Sequence, residues 1–502
     1  MLVKPTLDDL RLILSYTGKI VIGVAALLLV PMATALAAGE WRPLIYFTLS
    51  LAVSLSIGLL LVIVGRSKAR PRWMHGMVTG GFSWIVVMLV AALPYWFSGQ
   101  YLSYLDAAFD VMSGFTTTGL VLIQDLDHTA LSLNMWRHLL TFVGGQGMIV
   151  LALTFLVKDS GGGYKLYVGE GKDERLFPSV FHTAKAIWKI SLVYLAVGTA
   201  ALFGAGLVIG LPPVAAFLHA LWVYMAAWST GGFAPMSQSL LYYHSGLYET
   251  VTVVFFILGS FNFALHNAVW NGDRREVRKN IETVSFATTL SLLTLVTCWG
   301  LMKLHVYPDL AALVRKVFYQ LSSAHTTTGF MTLYPRQLAR EWGDLALVAM
   351  ILAMLIGGSA CSTAGGFKGL RVGILWKAIV QETRRMMKPS SAVFAQTFHY
   401  HGERSLEEGQ VRSAALIVLM YVAIFFFATM AGTAAGYPFL DAAFESASVT
   451  GNVGFSIGVT QAAMPAFLKI IYIFNMWAGR LEFMAVLATF AFIGAFFRRR
   501  PS

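Results

Sequence analysis

Long apolar runs separated by short basic or glycine-rich stretches dominate the chain. They cover about residues 20–38, 43–65, 77–98, 138–157, 187–211, 247–270, 283–305, 345–379, 411–436 and 466–497. Most come close to or exceed the roughly 20 residues that a helix needs to cross a hydrocarbon core of about 30 Å, so the pattern predicts ten membrane-spanning segments. Basic clusters separate them in pairs: Lys4, Arg11 and Lys19; Arg66, Lys68, Arg70 and Arg72; Lys158 to Lys189; Arg274, Arg275, Arg278 and Lys279; Lys368 to Arg412; and Arg498 to Arg500. Positive charge marks the cytoplasmic side, which puts both termini there. A secretory signal is the rival reading of the first segment, because Ala33-Thr34-Ala35 resembles a cleavage site. Asp8 and Asp9 interrupt the basic region that such a signal requires, and 43–65 supplies a partner for a retained hairpin.

The stretches on the opposite side carry more information than the spans. After the third, fifth, seventh and ninth segments come sequences too short or too interrupted to cross. They contain Phe115-Thr116-Thr117-Thr118-Gly119-Leu120, Trp228-Ser229-Thr230-Gly231-Gly232-Phe233, His325-Thr326-Thr327-Thr328-Gly329-Phe330 and Thr450-Gly451-Asn452-Val453-Gly454-Phe455. With Gly119, Gly232, Gly329 and Gly454 in register, the position ten earlier is aromatic every time: Phe109, Trp222, Tyr319 and Phe444. The position six earlier is always small: Ser113, Ala226, Ser323 and Ser448. One unit therefore occurs four times after an N-terminal hairpin. The divisions predicted are 1–69 for the hairpin and 70–172, 173–280, 281–395 and 396–502 for the repeats.

Non-helical backbone survives at membrane depth only where protein or a water-filled cavity surrounds it. Four such segments must converge on an axis, where inward carbonyls can replace the hydration shell of a monovalent cation. The candidate filter comprises Thr117, Thr118 and Gly119; Thr230, Gly231 and Gly232; Thr327, Thr328 and Gly329; and Asn452, Val453 and Gly454. Glycine allows backbone angles closed to other residues and leaves room for the ion. For a single Thr-Thr-Thr-Gly, close helix packing through small residues explains the sequence as well. Asp106 and Asp441, thirteen positions before their glycines, read equally as cation-concentrating groups at the outer mouth or as helix caps.

Composition narrows the solvent to lipid: 57% of the 502 residues are hydrophobic and 12% charged, which excludes a soluble enzyme, a disordered chain and a disulfide scaffold. The net charge of +12 belongs to the orienting clusters rather than to nucleic-acid binding. Cys298 and Cys361 have no metal or redox spacing, and neither do His138, His182, His219 and His325. Catalysis is not expected.

Two further features interrupt the spans. The eighth contains Gly357, Gly358, Ser359, Gly365, Gly366 and Lys368, a composition poorly suited to continuous helix. The tenth contains Arg480, whose charge costs at least about 2.5–3.5 kcal/mol at the centre of a membrane helix and so must face water or a partner. Glu482, two positions on, would not face it on a regular helix.

These motifs resemble the Trk/Ktr/HKT superfamily of potassium transporters, over about residues 70–497, with residues 1–66 similar to the extra hairpin of its TrkH-type members. The resemblance implies an all-α membrane protein: four repeats of span, re-entrant pore helix with filter loop, and span, around a pseudo-fourfold pore, plus the N-terminal transmembrane hairpin. Glycine in all four loops implies potassium selectivity. The resemblance also implies that 357–368 is an intramembrane gating loop and that Arg480 faces the pore as a barrier to cations. It implies a homodimer in the bacterial inner membrane, seated on a cytosolic nucleotide-binding ring of the TrkA type. This chain needs no cofactor of its own beyond the potassium it carries. Proton- or sodium-coupled symport is the alternative mechanism, and a membrane-embedded enzyme or assembly scaffold the alternative class.

Overall fold

The computed structural model describes residues 5–67, 71–147, 180–387 and 396–497, and the described chain is helical except for one short hairpin, Thr397–His399 with Glu403–Ser405. Among the described residues six helices are long and apolar enough to cross a membrane, and eight if two sharply bent pairs are each counted as one. The chain is a multi-pass membrane protein. The second half of the segment at 138–157, the basic residues from Lys158 to Arg175, and Arg498 to Arg500 lie outside the described residues.

The N-terminal hairpin pairs Leu7–Leu27 and Leu29–Ala38 with Trp41–Val64. Asp9 closes a capping box with Thr6, the N-cap: its carboxylate accepts the Thr6 N–H at 2.7 Å while the Thr6 hydroxyl accepts the Asp9 N–H at 3.2 Å. Its other oxygen meets His75 Nε2 at 2.9 Å and ties the hairpin to the first repeat. The two helices cross closely, since a Cβ on Gly18 would stand 2.6 Å from the Gly58 carbonyl.

Each repeat then follows one plan. A leading span (Trp73–Ala91, Val180–Val208, Ile281–Lys303, Glu408–Ala434) precedes a short helix (Tyr104–Phe115, Pro213–Trp228, Leu310–His325, Phe439–Thr450). An extended segment leads from it to a returning helix that begins at Leu131, Gly246, Gly343 or Ala466. The aromatic column is the anchor of the short helices: Phe109, Trp222, Tyr319 and Phe444 are all buried.

The returning helices differ from the sequence expectation. Besides the break at 357–368, the segments 247–270 and 466–497 are not continuous. Gly246–Gly259 meets Phe263–Trp270 at 100°, and Ala466–Arg480 meets Met484–Phe497 at 114°. At the first bend the Asn262 side chain accepts the Ala264 N–H at 2.7 Å and starts a new helix. At the second, Glu482 and Phe483 adopt left-handed φ of 50° and 68°, conformations that L-residues hold only when neighbours fix them. Arg371 does so here through an ion pair with Glu482.

Asp106 and Asp441 do not cap their helices. The cap of the first short helix is Ser103, whose hydroxyl accepts the Asp106 N–H at 3.2 Å. Asp106 is buried against Lys469 of the fourth repeat at 2.5 Å, so its charge joins two repeats. Asp441 follows Pro438 at a helix start with no side-chain cap.

Candidate ion-conducting site

Four helix ends build the site, and they end the same way. The N–H of the residue before each filter glycine bonds back to the small residue six positions before that glycine: Thr118 to Ser113 O, Gly231 to Ala226 O, Thr328 to Ser323 O and Val453 to Ser448 O, each at 2.8 Å. This is the closure that satisfies carbonyls left open at a helix C-terminus. It also explains the small column, because the chain folds directly over that position. The turn needs two left-handed residues. The filter glycines have φ of 89°, 63°, 82° and 97°, and Thr117, Thr230, Thr327 and Asn452 have 55°, 50°, 56° and 56°. The second column was not legible in the sequence, since threonine is a poor left-handed residue.

The four segments close a ring. A Cβ on Gly119 would stand 2.6 Å from the Gly231 carbonyl. The same construction brings Gly232 against the Thr328 carbonyl, Gly329 against that of Val453, and Gly454 against that of Thr118. Each repeat thus abuts the next and the fourth abuts the first. The carbonyls of Thr118, Thr328 and Val453 accept no hydrogen bond from any described residue, whereas Gly231 O accepts the Phe233 N–H at 2.8 Å. Unpaired backbone oxygens crowded around one axis are the chemistry that holds a dehydrated monovalent cation. On one side all four glycines line a single cavity of about 260 Å³, shared with Arg137, Ser456 and Thr460.

On the other side lies the broken span. Gly343–Ile356 ends at Gly357, Gly369–Met386 begins after Lys368, and the loop between them touches three filter segments directly and the first through Arg480. Thr363 Oγ1 lies 3.2 Å from Thr230 Oγ1, and the Gly365 N–H donates to Thr327 Oγ1 at 2.7 Å. A Cβ on Gly365 would lie 3.1 Å from Asn452 Cβ. The fourth contact is made through Arg480, which donates to Thr117 Oγ1 at 3.3 Å and to the Thr363 carbonyl at 2.5 Å. Its other amino group donates to the Gly144 and Gly145 carbonyls at 2.8 and 3.1 Å. The left-handed side chains of the filter therefore form the ceiling of this loop. Gly357 and Gly366 meet backbone to backbone, and Gly358 O accepts the Gly369 N–H at 2.8 Å. Ser359 N–H donates to Ser260 O at the bend of the second repeat, 2.9 Å away. Lys368 is buried and donates to the Ala364 carbonyl.

A chain of polar contacts leaves the loop toward the face bearing the basic clusters. Glu282 accepts the Ala360 N–H at 2.6 Å, Asn280 accepts the Glu282 N–H at 2.9 Å and donates to Glu276 at 2.9 Å. Glu276 meets His399 Nε2 at 2.8 Å and accepts the His401 N–H at 3.0 Å, fastening the hairpin 397–405. The hydrogen bond to Glu276 raises the pKa of His399 above the usual histidine value. Burial pushes the Glu276 carboxyl up, but hydrogen bonds from His399, Asn280 and His401 outweigh it and the net shift is down. A raised histidine stabilises fully below its unfolded pKa and loses that contribution as pH rises through the folded one; a lowered carboxyl loses its contribution as pH falls. Protection of the 397–405 amides, the intrinsic base-catalysed exchange rate at each pH relative to the observed rate, is thus expected to be greatest in the window between the two folded pKa values and to fall on alkalinisation. His399→Gln should remove the alkaline limb, and an unchanged limb would refute the assignment.

The histidines have structural partners. His138 Nδ1 lies 2.7 Å from the Asn134 carbonyl and stacks on Trp222, and His325 Nε2 lies 2.7 Å from Thr289 Oγ1. Among the described residues no group of His, Cys, Asp and Glu could hold a metal ion.

A helical membrane protein in which four segments close a ring of backbone carbonyls is, by class, a cation transporter. The chain belongs to the TrkH family of cation transport proteins, whose family model matches residues 45–499. It is 30% identical over 418 residues to an uncharacterized cation transporter of Methanocaldococcus jannaschii, covering 83% of this chain and 82% of the relative. It is also 30% identical over 454 residues to the Trk system potassium uptake protein TrkH of Salmonella typhimurium, covering 88% and 91%. The crystal structure of the potassium transporter TrkH from Vibrio parahaemolyticus matches with a TM-score of 0.81 at 27% identity, covering 97% of this chain and all of that one.

Proposed function

We propose that this chain is the membrane subunit of a potassium-uptake system. Dehydrated potassium passes a filter formed by Thr117–Gly119, Thr230–Gly232, Thr327–Gly329 and Asn452–Gly454, and then a constriction formed by 357–368 and Arg480. The observation that carries this reading is the closed cycle of glycine-to-carbonyl contacts through all four repeats. Membrane potential suffices as the driving force, since about 2.3 kcal/mol per charge per 100 mV sustains roughly fiftyfold accumulation. The repeats are those bounded at 70, 173, 281 and 396, following the hairpin of 1–69. The protein sits in a bacterial inner membrane with both termini cytoplasmic, as a homodimer on a separate cytosolic ring of the TrkA type, and binds no cofactor of its own. The relatives from Salmonella and Vibrio, a potassium uptake protein and a potassium transporter, support potassium as the cargo.

The test is growth of a potassium-uptake-deficient bacterium at low potassium, with the regulator supplied. Wild type is expected to restore growth, and well-expressed wild type that fails to do so would overturn the reading. In reconstituted vesicles the reversal potential should follow the potassium gradient alone. A shift with pH or sodium would replace channel-like conduction by coupled symport.

A further inference from the structure

The filter is fastened on its inner side by the repeated bond from the residue before each glycine to the short helix. That bond does not restrain the chain beyond the glycine, where it lines the outer cavity. At this point the four repeats diverge, and each has a different device acting two to six residues beyond its glycine.

In the first repeat the device is Asp110, nine positions before Gly119. One carboxylate oxygen accepts the Leu122 N–H at 2.7 Å and the other the Tyr101 hydroxyl at 2.9 Å. The same position in the fourth repeat is Glu445, fully buried. It accepts the N–H groups of Ile457, Val459 and Thr460 at 3.0, 3.1 and 3.4 Å and the hydroxyls of Ser456 and Thr460 at 2.6 and 2.7 Å. In the third repeat it is Gln320, which donates to Thr332 Oγ1 at 3.0 Å, while Lys316 donates to the Thr332 carbonyl at 3.0 Å.

The second repeat has Val223 at this position and cannot form such a bond. There Arg137, from the returning helix of the first repeat, reaches across and donates to the Ala234 carbonyl at 3.1 Å. It is itself oriented by Asn134 at 3.0 Å and stands 4.6 Å over the Phe233 ring. A substitute from another element, placed where the register position is apolar, indicates that the restraint matters at every repeat. Burying a carboxylate is costly unless hydrogen bonds replace its water, and packing alone would be served by an apolar residue in each of these places.

We infer that Asp110, Arg137, Gln320 and Glu445 are specificity-determining positioning residues that fix the outer segments of the filter and so hold its carbonyl ring at the radius of potassium. None of them touches the ion. Released, the ring can contract around a smaller cation, so their loss admits sodium. The inference rests on the potassium reading proposed above.

The experiment is paired uptake of rubidium-86 and sodium-22 by the full-length protein in vesicles. Wild type is compared with Glu445→Gln, Asp110→Asn, Arg137→Ala and, as a control on the exposed hairpin, Glu403→Gln. The rubidium-to-sodium flux ratio is expected to fall at least about tenfold in Glu445→Gln, which puts an amide donor among five donors, and less in Asp110→Asn, whose carboxylate accepts only one backbone N–H and one hydroxyl. Glu445→Asp should recover part of the ratio. A purely structural role would reduce both fluxes in proportion and leave the ratio unchanged, and that result in folded Asp110→Asn and Arg137→Ala would overturn the inference even if Glu445→Gln fails to fold. Wild type that does not favour rubidium over sodium would overturn the potassium reading and this inference with it. Wild type that is selective, with variants equal to it, would overturn the inference alone.

Discussion

Gly329→Ala is expected to abolish potassium uptake in a protein that still reaches the membrane folded. Two costs coincide at this position. The residue holds a φ of 82°, which costs an L-residue roughly 1–3 kcal/mol. The new methyl group would also overlap the Val453 carbonyl, a backbone oxygen of the next repeat that cannot swing aside as a side-chain tip does. The carbonyl must move off the axis, or the third segment must retreat from the ring. Either change breaks the carbonyl cycle that we propose dehydrates the ion, and even about 1.4 kcal/mol on the rate-limiting step reduces flux tenfold.

Graded effects follow from the same geometry. Gly232 and Gly454 meet the Thr328 and Thr118 carbonyls about as tightly and should fail as completely. At Gly119 the clearance is larger, 2.6 Å to Gly231 O, and that carbonyl is already drawn aside by the Phe233 N–H. Gly119→Ala should therefore retain measurable uptake with poorer discrimination against sodium. The check is rubidium and sodium flux normalised to the amount of folded protein. Equal losses at Gly119 and Gly329 would show that the ring lacks the asymmetry described here.

The glycine, aromatic and small columns were legible because each repeats one residue class at a fixed offset, and the structure gives each a local reason. The bends at 260–262 and 481–483 were not, because a hydropathy run reports apolar length and is blind to backbone direction. Each bend is also fixed by distant residues: Glu482 is held by Arg371, 111 positions away in sequence, and Ser260 receives the Ser359 N–H. The outer braces escaped notice for a different reason. Asp110, Gln320 and Glu445 share a register but not a residue, and Val223 breaks the column where Arg137 substitutes from another helix. Asp106 reads in the sequence equally as a helix cap or as a cation-concentrating group, because a carboxylate in the first turn of a helix often caps it, and the cap at Ser103 together with the partner Lys469 removes the first reading.

Arg480→Ala is expected to raise potassium flux in the absence of any regulator, by about 5–30-fold if the guanidinium contributes about 1–2 kcal/mol to holding the loop closed. The side chain grips three elements at once: the loop at Thr363, the first filter segment at Thr117, and the end of the first returning helix at Gly144 and Gly145. An alanine frees the loop from two of its neighbours and removes a positive charge from beneath the filter, so the effects on opening and on the electrostatic barrier have the same sign. Stability should fall at the same time, because four acceptors lose their donor. Arg480→Lys separates the two contributions. It restores the charge but not the planar fork that reaches all four oxygens, so it should keep flux nearer the wild-type value while leaving the loop loosened. If Arg480→Ala instead lowers flux in a folded protein and Arg480→Lys restores it, the charge supports the conducting arrangement and the barrier role is refuted. Single-channel recording distinguishes the cases, because removing a gate raises open probability and removing a barrier raises unitary conductance.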